Sequence, residues 1–77
     1  MLLTNASHPD TLQPRAQTAL HNSPVCELRD LDVARRDGAL VISGIVSSFY
    51  HKQLAQEVVW AVCKEYEVEL VNLIRVR

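Results

Sequence analysis

The chain has 77 residues, 48% of them hydrophobic but only 5% aromatic, and carries a formal net charge of −1. That length accommodates one small core, and the charge balance gives no electrostatic footprint for nucleic acid or anionic lipid. Cys26 and Cys63 are too few for a disulfide scaffold and stand at no metal or redox spacing.

The opening stretch MLLTNASHPD has neither a basic segment nor an apolar run of signal-peptide length, and no segment reaches membrane-spanning length. By default the expected compartment is the cytoplasm. Residues 1–9 are expected to form a flexible arm and 10–77 a single domain. Asp10 or Thr11 is placed to cap a short helix whose apolar stripe is Leu12, Ala16, Ala19 and Leu20. Pro14 falls in its first turn, where a missing N–H costs nothing. Asn22 and the following Pro24 end it.

Residues 25–30 lead into a hairpin that organises the rest. Asp37-Gly38 lies between two alternating apolar runs, about 31–36 and 39–46, and predicts a type I′ turn with positive φ at both central residues. Arg36 is then opposite Ala39, Arg35 opposite Leu40, Val33 opposite Ile42 and Leu31 opposite Gly44. One face carries Leu31, Val33, Leu40, Ile42 and Val46. The other carries Asp30, Asp32, Ala34, Val41, Ser43 and Ile45. Gly44 marks either a weakened strand position or, as the register favours, the close approach of a helix on the packed face.

Ser47 or Ser48 caps a second helix, about 49–66, with Ala55, Val58, Val59, Val62 and Tyr66 on one stripe. Burying its three valines, at roughly 1.5–3 kcal/mol each, makes that stripe the expected main source of core energy. Trp60 falls among the polar positions. A last strand, about 68–76, sets Val68, Leu70, Ile74 and Val76 against Glu69, Val71, Leu73 and Arg75. The order α-β-β-α-β predicts an α+β two-layer sandwich, with two helices on one face of a three-stranded mixed sheet. The crossover joins its two strands directly or in split form.

The run Val33-x-x-x-Asp37-Gly38-x-Leu40-x-Ile42-x-Gly44-x-Val46, the following helix with Ala55 and Val62, and Leu70-x-Asn72-x-Ile74-x-Val76 resemble a BON domain, the bacterial osmotically inducible and nodulation module. Ala19-Leu20 fits its first helix, and the resemblance runs from about residue 16 to 76. Glu67-Val68 departs from the Gly-Val pair usual where the second helix meets the last strand. The resemblance implies an α-β-β-α-β fold, no catalysis, and binding to phospholipid membrane or other envelope components.

His8, His21 and His51 stand at no ligand spacing, so no metal or other cofactor is expected. No serine sits in a nucleophile elbow, and the glycines match neither a phosphate loop nor the GXXG loop of KH-type RNA binders. The expected function is therefore a binding module that is not an enzyme and takes no nucleic acid. Two surfaces are candidates. Val41, Ile45, Val71 and Leu73 share the outer sheet face, either as ordinary exposed residues or as an interface for a second copy or a partner protein. Trp60 is either covered by the first helix or the Leu2-Leu3 arm, or is the residue that enters a membrane interface. Asp37, Gly38 and Gly44 are structural. Both cysteines are expected reduced and partly buried, with a bridge between them left open.

Overall fold

The computed structural model describes residues 11–77. The expected arm at 1–9, with Leu2, Leu3 and His8, and the alternative cap Asp10 lie outside them. Helix α1 (Leu12–His21) follows Thr11 and closes at Asn22, burying Leu12, Ala16 and Leu20. Residues 25–30, expected as a lead-in, instead wind into a 3-10 turn, Cys26–Asp30, that buries Leu28. Then come β1 (Asp32–Arg36), β2 (Ala39–Ser43), β3 (Ile45–Val46), α2 (Phe49–Cys63), β4 (Glu69–Asn72) and β5 (Arg75–Val76). The fold is the α+β sandwich that the chain order implies: a mixed sheet of order β1-β2-β4, continued by the parallel pair β3-β5. The crossover through α2 joins β2 directly to β4, side by side and parallel.

The hairpin register is the expected one throughout, from Arg36↔Ala39 to Asp32↔Ser43. The turn chemistry differs. Asp37 adopts left-handed φ (51°) and Gly38 does not, so the two-residue connection needs only the tolerance of an Asp for that region. Gly44 also differs from expectation. The close approach comes from Leu31 just before β1: a Cβ there would sit 2.6 Å from Leu31 Cδ2, and its φ of +135° is one that glycine alone adopts readily. The expected continuous strand 39–46 therefore breaks at Gly44. The expected strand 68–76 breaks beside it, at residues 73–74.

The inward faces of Leu31, Val33, Leu40, Ile42 and Val46 pack with Leu12, Ala16, Leu20, Leu28, Ala55, Val59, Cys63 and Ile74 into one core. α2 ends at Cys63, three residues short of the expected Tyr66. Its buried stripe is Ala55, Val59 and Cys63, with Val58 and Val62 only partly covered. One valine rather than three is therefore fully buried, because the helix turns its line of closest approach towards Cys63. Burial also pushes the Cys63 thiol pKa up. Cys26 is exposed, contrary to expectation, and neither cysteine is bridged.

The edge strand β1 is closed by side chains of α1. Gln17 donates to the Leu31 carbonyl (2.7 Å) and accepts from the Val33 N–H (2.9 Å), as a neighbouring strand would, and Gln13 donates to the Val33 carbonyl (2.6 Å).

The two glycines make opposite predictions. Gly44→Ala meets both a Leu31 clash and a disfavoured φ, and should lower unfolding free energy by at least about 2 kcal/mol. Gly38→Ala has nothing within 4 Å to meet and should change it by less than about 0.5 kcal/mol. Urea unfolding followed by circular dichroism measures both. Equal losses would contradict the account of the bend.

Candidate functional site

The end of the molecule where β3, β5 and the start of α2 meet carries the two most exposed large apolar side chains among the described residues. Ser48 is an extended N-cap whose Oγ accepts from the His51 N–H at 3.1 Å, so the first helical residues, Phe49 and Tyr50, are fixed on a capped turn. Phe49 is 75% and Tyr50 70% exposed. Ile45, 53% exposed, lies opposite Arg75 in the β3–β5 pair. The Arg77 N–H donates to the Val46 carbonyl at 2.9 Å. Ile45, Arg75, Val76 and Arg77 line a shallow hollow of about 120 Å³.

A carboxylate from the 3-10 turn braces this end. Glu27 Oε1 accepts from the Ser47 N–H (3.0 Å) and lies 2.7 Å from His51 Nδ1. These bonds, the Ser47 N–H first and the His51 ring next, hold the Glu27 carboxyl at about 2 against an ordinary 4.5. An ionised carboxylate only accepts, so His51 carries a proton on Nδ1. The negative charge also faces the amino end of α2, where the helix dipole favours it.

The outer sheet face carries its residues as the parity requires. Ala34, Val41 and Val71 form a row across β1, β2 and β4, each partly covered by its neighbours, so Val41 and Val71 are less open than expected. Ile45 and Leu73 (58% exposed) are the prominent members of that set. The structure thus brings Val41 and Val71 together at the centre and sets Ile45 at the β3–β5 end.

Trp60, 50% exposed, is on neither surface. It lines a groove of about 490 Å³ between α2 and β4 with Gln53, Gln56, Glu57, Val68, Glu69 and Leu70. No residue of α1 is in that lining; a separate hollow between the two helices is lined by Pro14, Arg15, Thr18 and Ala19 of α1 and Val62 of α2. Asp37 and Gly38 form the hairpin turn and Gly44 the bend.

Phe49 and Tyr50 were not among the residues singled out from the sequence, although a signal for one of them exists. Phe49 is eleven residues before Trp60, about 20° away on a helical wheel, in line with Gln53 and Gln56. Glu27 had no such signal, since its partners are 20 and 24 residues along the chain.

Glu27 predicts a sign for the acid response. Its folded-state pKa is depressed, so its contribution is complete above about pH 4.5 and is lost as pH falls through about 2. Thermal unfolding across that window should decline less steeply in Glu27→Gln than in the parent. Superimposable pH profiles would contradict the brace.

No protein-family model matches the chain, and none of the curated proteins matches it either.

Proposed function

We propose that this chain is a non-catalytic binding module that docks the β3–β5 end on a phospholipid surface. The observation that carries this reading is the pair Phe49 and Tyr50, both at least 70% exposed on a capped helical turn rather than a loose loop. Rings held in this way enter an interface with little further loss of conformational freedom. Desolvating each is favourable by up to about 1.5–3 kcal/mol, and tyrosine suits a boundary that is apolar on one side and wet on the other. Arg75 and Arg77 stand beside Ile45 to meet headgroup phosphates. None of the described helices is long and apolar enough to cross a membrane, so the contact is peripheral. The resemblance to BON domains supports the same ligand class, while the residues, Ile45 apart, differ from the Trp60 and sheet-face set that the sequence suggested.

Such binding is weak and only shallowly salt-dependent, because two arginines supply little long-range attraction. At tens of micromolar protein, the chain should co-sediment with phosphatidylcholine vesicles, and somewhat better when these contain phosphatidylglycerol. Phe49→Ser with Tyr50→Ser should abolish pelleting, and Trp60→Ser should leave it unchanged. No pelleting of the parent with either vesicle would overturn the proposal.

One observation favours a second reading, self-association through the outer sheet face. The row Ala34, Val41 and Val71, with Ile45 and Leu73, lies on the side of the sheet away from both helices. An isologous dimer would place that row against itself. Sedimentation equilibrium should then show a dimer that Val41→Lys with Val71→Lys converts to a folded monomer. A parent protein that is already monomeric ends this reading.

A further inference from the structure

The two edges of the sheet are treated differently. β1 is closed by the amides of Gln13 and Gln17. β4 is the other terminal strand. The N–H groups of Glu69 and Leu73 donate to the carbonyls of Gly38 and Ile42, at 2.9 and 2.8 Å. The two-residue alternation therefore turns the backbone groups of Leu70 and Asn72 away from β2, to the outer edge. The Asn72 side chain closes the lower part of that edge: its Oδ1 accepts from the Ile74 N–H, and its Nδ2 donates to the Lys52 carbonyl and to Gln56 Oε1, all at 3.1 Å. The upper part, at Leu70, borders the Trp60 groove. Its apolar lining is Trp60, Val68 and Leu70, and its charged lining is Glu57 and Glu69, with no lysine or arginine.

We infer that this groove takes an extended segment of a partner protein, paired as an added strand on β4, with an apolar side chain against Trp60 and lysines or arginines beside Glu57 and Glu69. A helix lying alongside an open strand edge is the geometry in which main-chain pairing gives affinity and the groove gives specificity. Charge selects the occupant. A second copy paired edge to edge through β4 would bring Glu57 and Glu69 against their own duplicates, and the β1 edge of another copy is already occupied at Leu31 and Val33 by Gln17 and Gln13. Residues 1–10 contain no lysine or arginine to offer the two glutamates.

Trp60 is the single tryptophan, so its emission reports occupancy of the groove directly. The full chain is titrated with a blocked pentapeptide, Lys-Val-Leu-Val-Lys. Emission should shift to the blue and saturate with a dissociation constant on the order of 100 μM. Glu57→Lys with Glu69→Lys, both surface changes, should weaken binding at least about tenfold. Only one edge of the peptide faces β4, so N-methylation of alternate residues should abolish binding in one phase and spare it in the other.

Four results would overturn the inference. The first is no shift up to about 1 mM peptide. The second is an equal response to a glutamate-flanked counterpart. The third is equal binding by both methylated phases. The fourth is a groove already filled without peptide. That last case would show as emission that varies with protein concentration (a second copy), with Leu2→Ser and Leu3→Ser (the chain's own first residues), or with phosphatidylcholine vesicles (a membrane).

Discussion

Leu31 occupies the space that a side chain at position 44 would need, and much of the molecule's shape follows from that contact. Leu31 is buried and enters β1 directly from the 3-10 turn. Its Cδ2 passes so close to Gly44 that the second strand can continue only by breaking there, at a φ that suits glycine. The last strand breaks in step, and the Arg75 N–H donates to the Gly44 carbonyl at 2.9 Å, which keeps the two displaced pieces paired. Beyond the break Val46 returns to the core while Ile45 faces out. The chain then enters α2 within two residues. The same bend brings Ser47 to Glu27, so the 3-10 turn and the first turn of α2 are held by one carboxylate.

With so small a core, side-chain amides close what further strands would close in a larger protein. Gln17 mimics a strand along β1, and Asn72 folds back over the break between β4 and β5. Both keep buried or edge-facing backbone groups hydrogen-bonded at the cost of ordering one side chain each. They also leave an asymmetry: side chains occupy the β1 edge at Leu31 and Val33, whereas the β4 edge beside Trp60 is closed only at Asn72. The contact surfaces considered above are therefore separate, one at the β3–β5 end, one on the open sheet face and one along the β4 edge.

The register of the hairpin was legible because a two-residue loop and a period of two leave one consistent pairing. The parity of Val33, Leu40, Ile42 and Val46 follows from it. The turn's φ angles were not legible, since the twist of two short strands selects among turns of equal length. The end of α2 at Cys63 carries no Gly or Pro signal: residues 64–67 are Lys-Glu-Tyr-Glu. The helix must stop early enough for the Glu69 N–H to reach the Gly38 carbonyl, a demand made by the sheet and not by local propensity. Asn72 could be seen as a polar residue at an inward position of an apolar strand. Its three hydrogen bonds depend on where α2 packs. The exposure of Phe49 could be read from its alignment with Gln53, Gln56 and Trp60. The brace at Glu27 required contacts that only the folded chain brings together.

The proposed function then rests on where apolar surface is left outside and how firmly it is held. The β3–β5 end combines exposed rings with a capped helix, a braced turn and two arginines, while the sheet face and the Trp60 groove lack that combination. Amide chemical-shift mapping on titration with phosphatidylcholine–phosphatidylglycerol bicelles locates the contact directly. The account predicts broadening confined to Ile45, Phe49, Tyr50, His51, Arg75 and Arg77. Broadening centred on Val41 and Val71, or on Trp60 and Leu70, with the β3–β5 end unaffected, would contradict it.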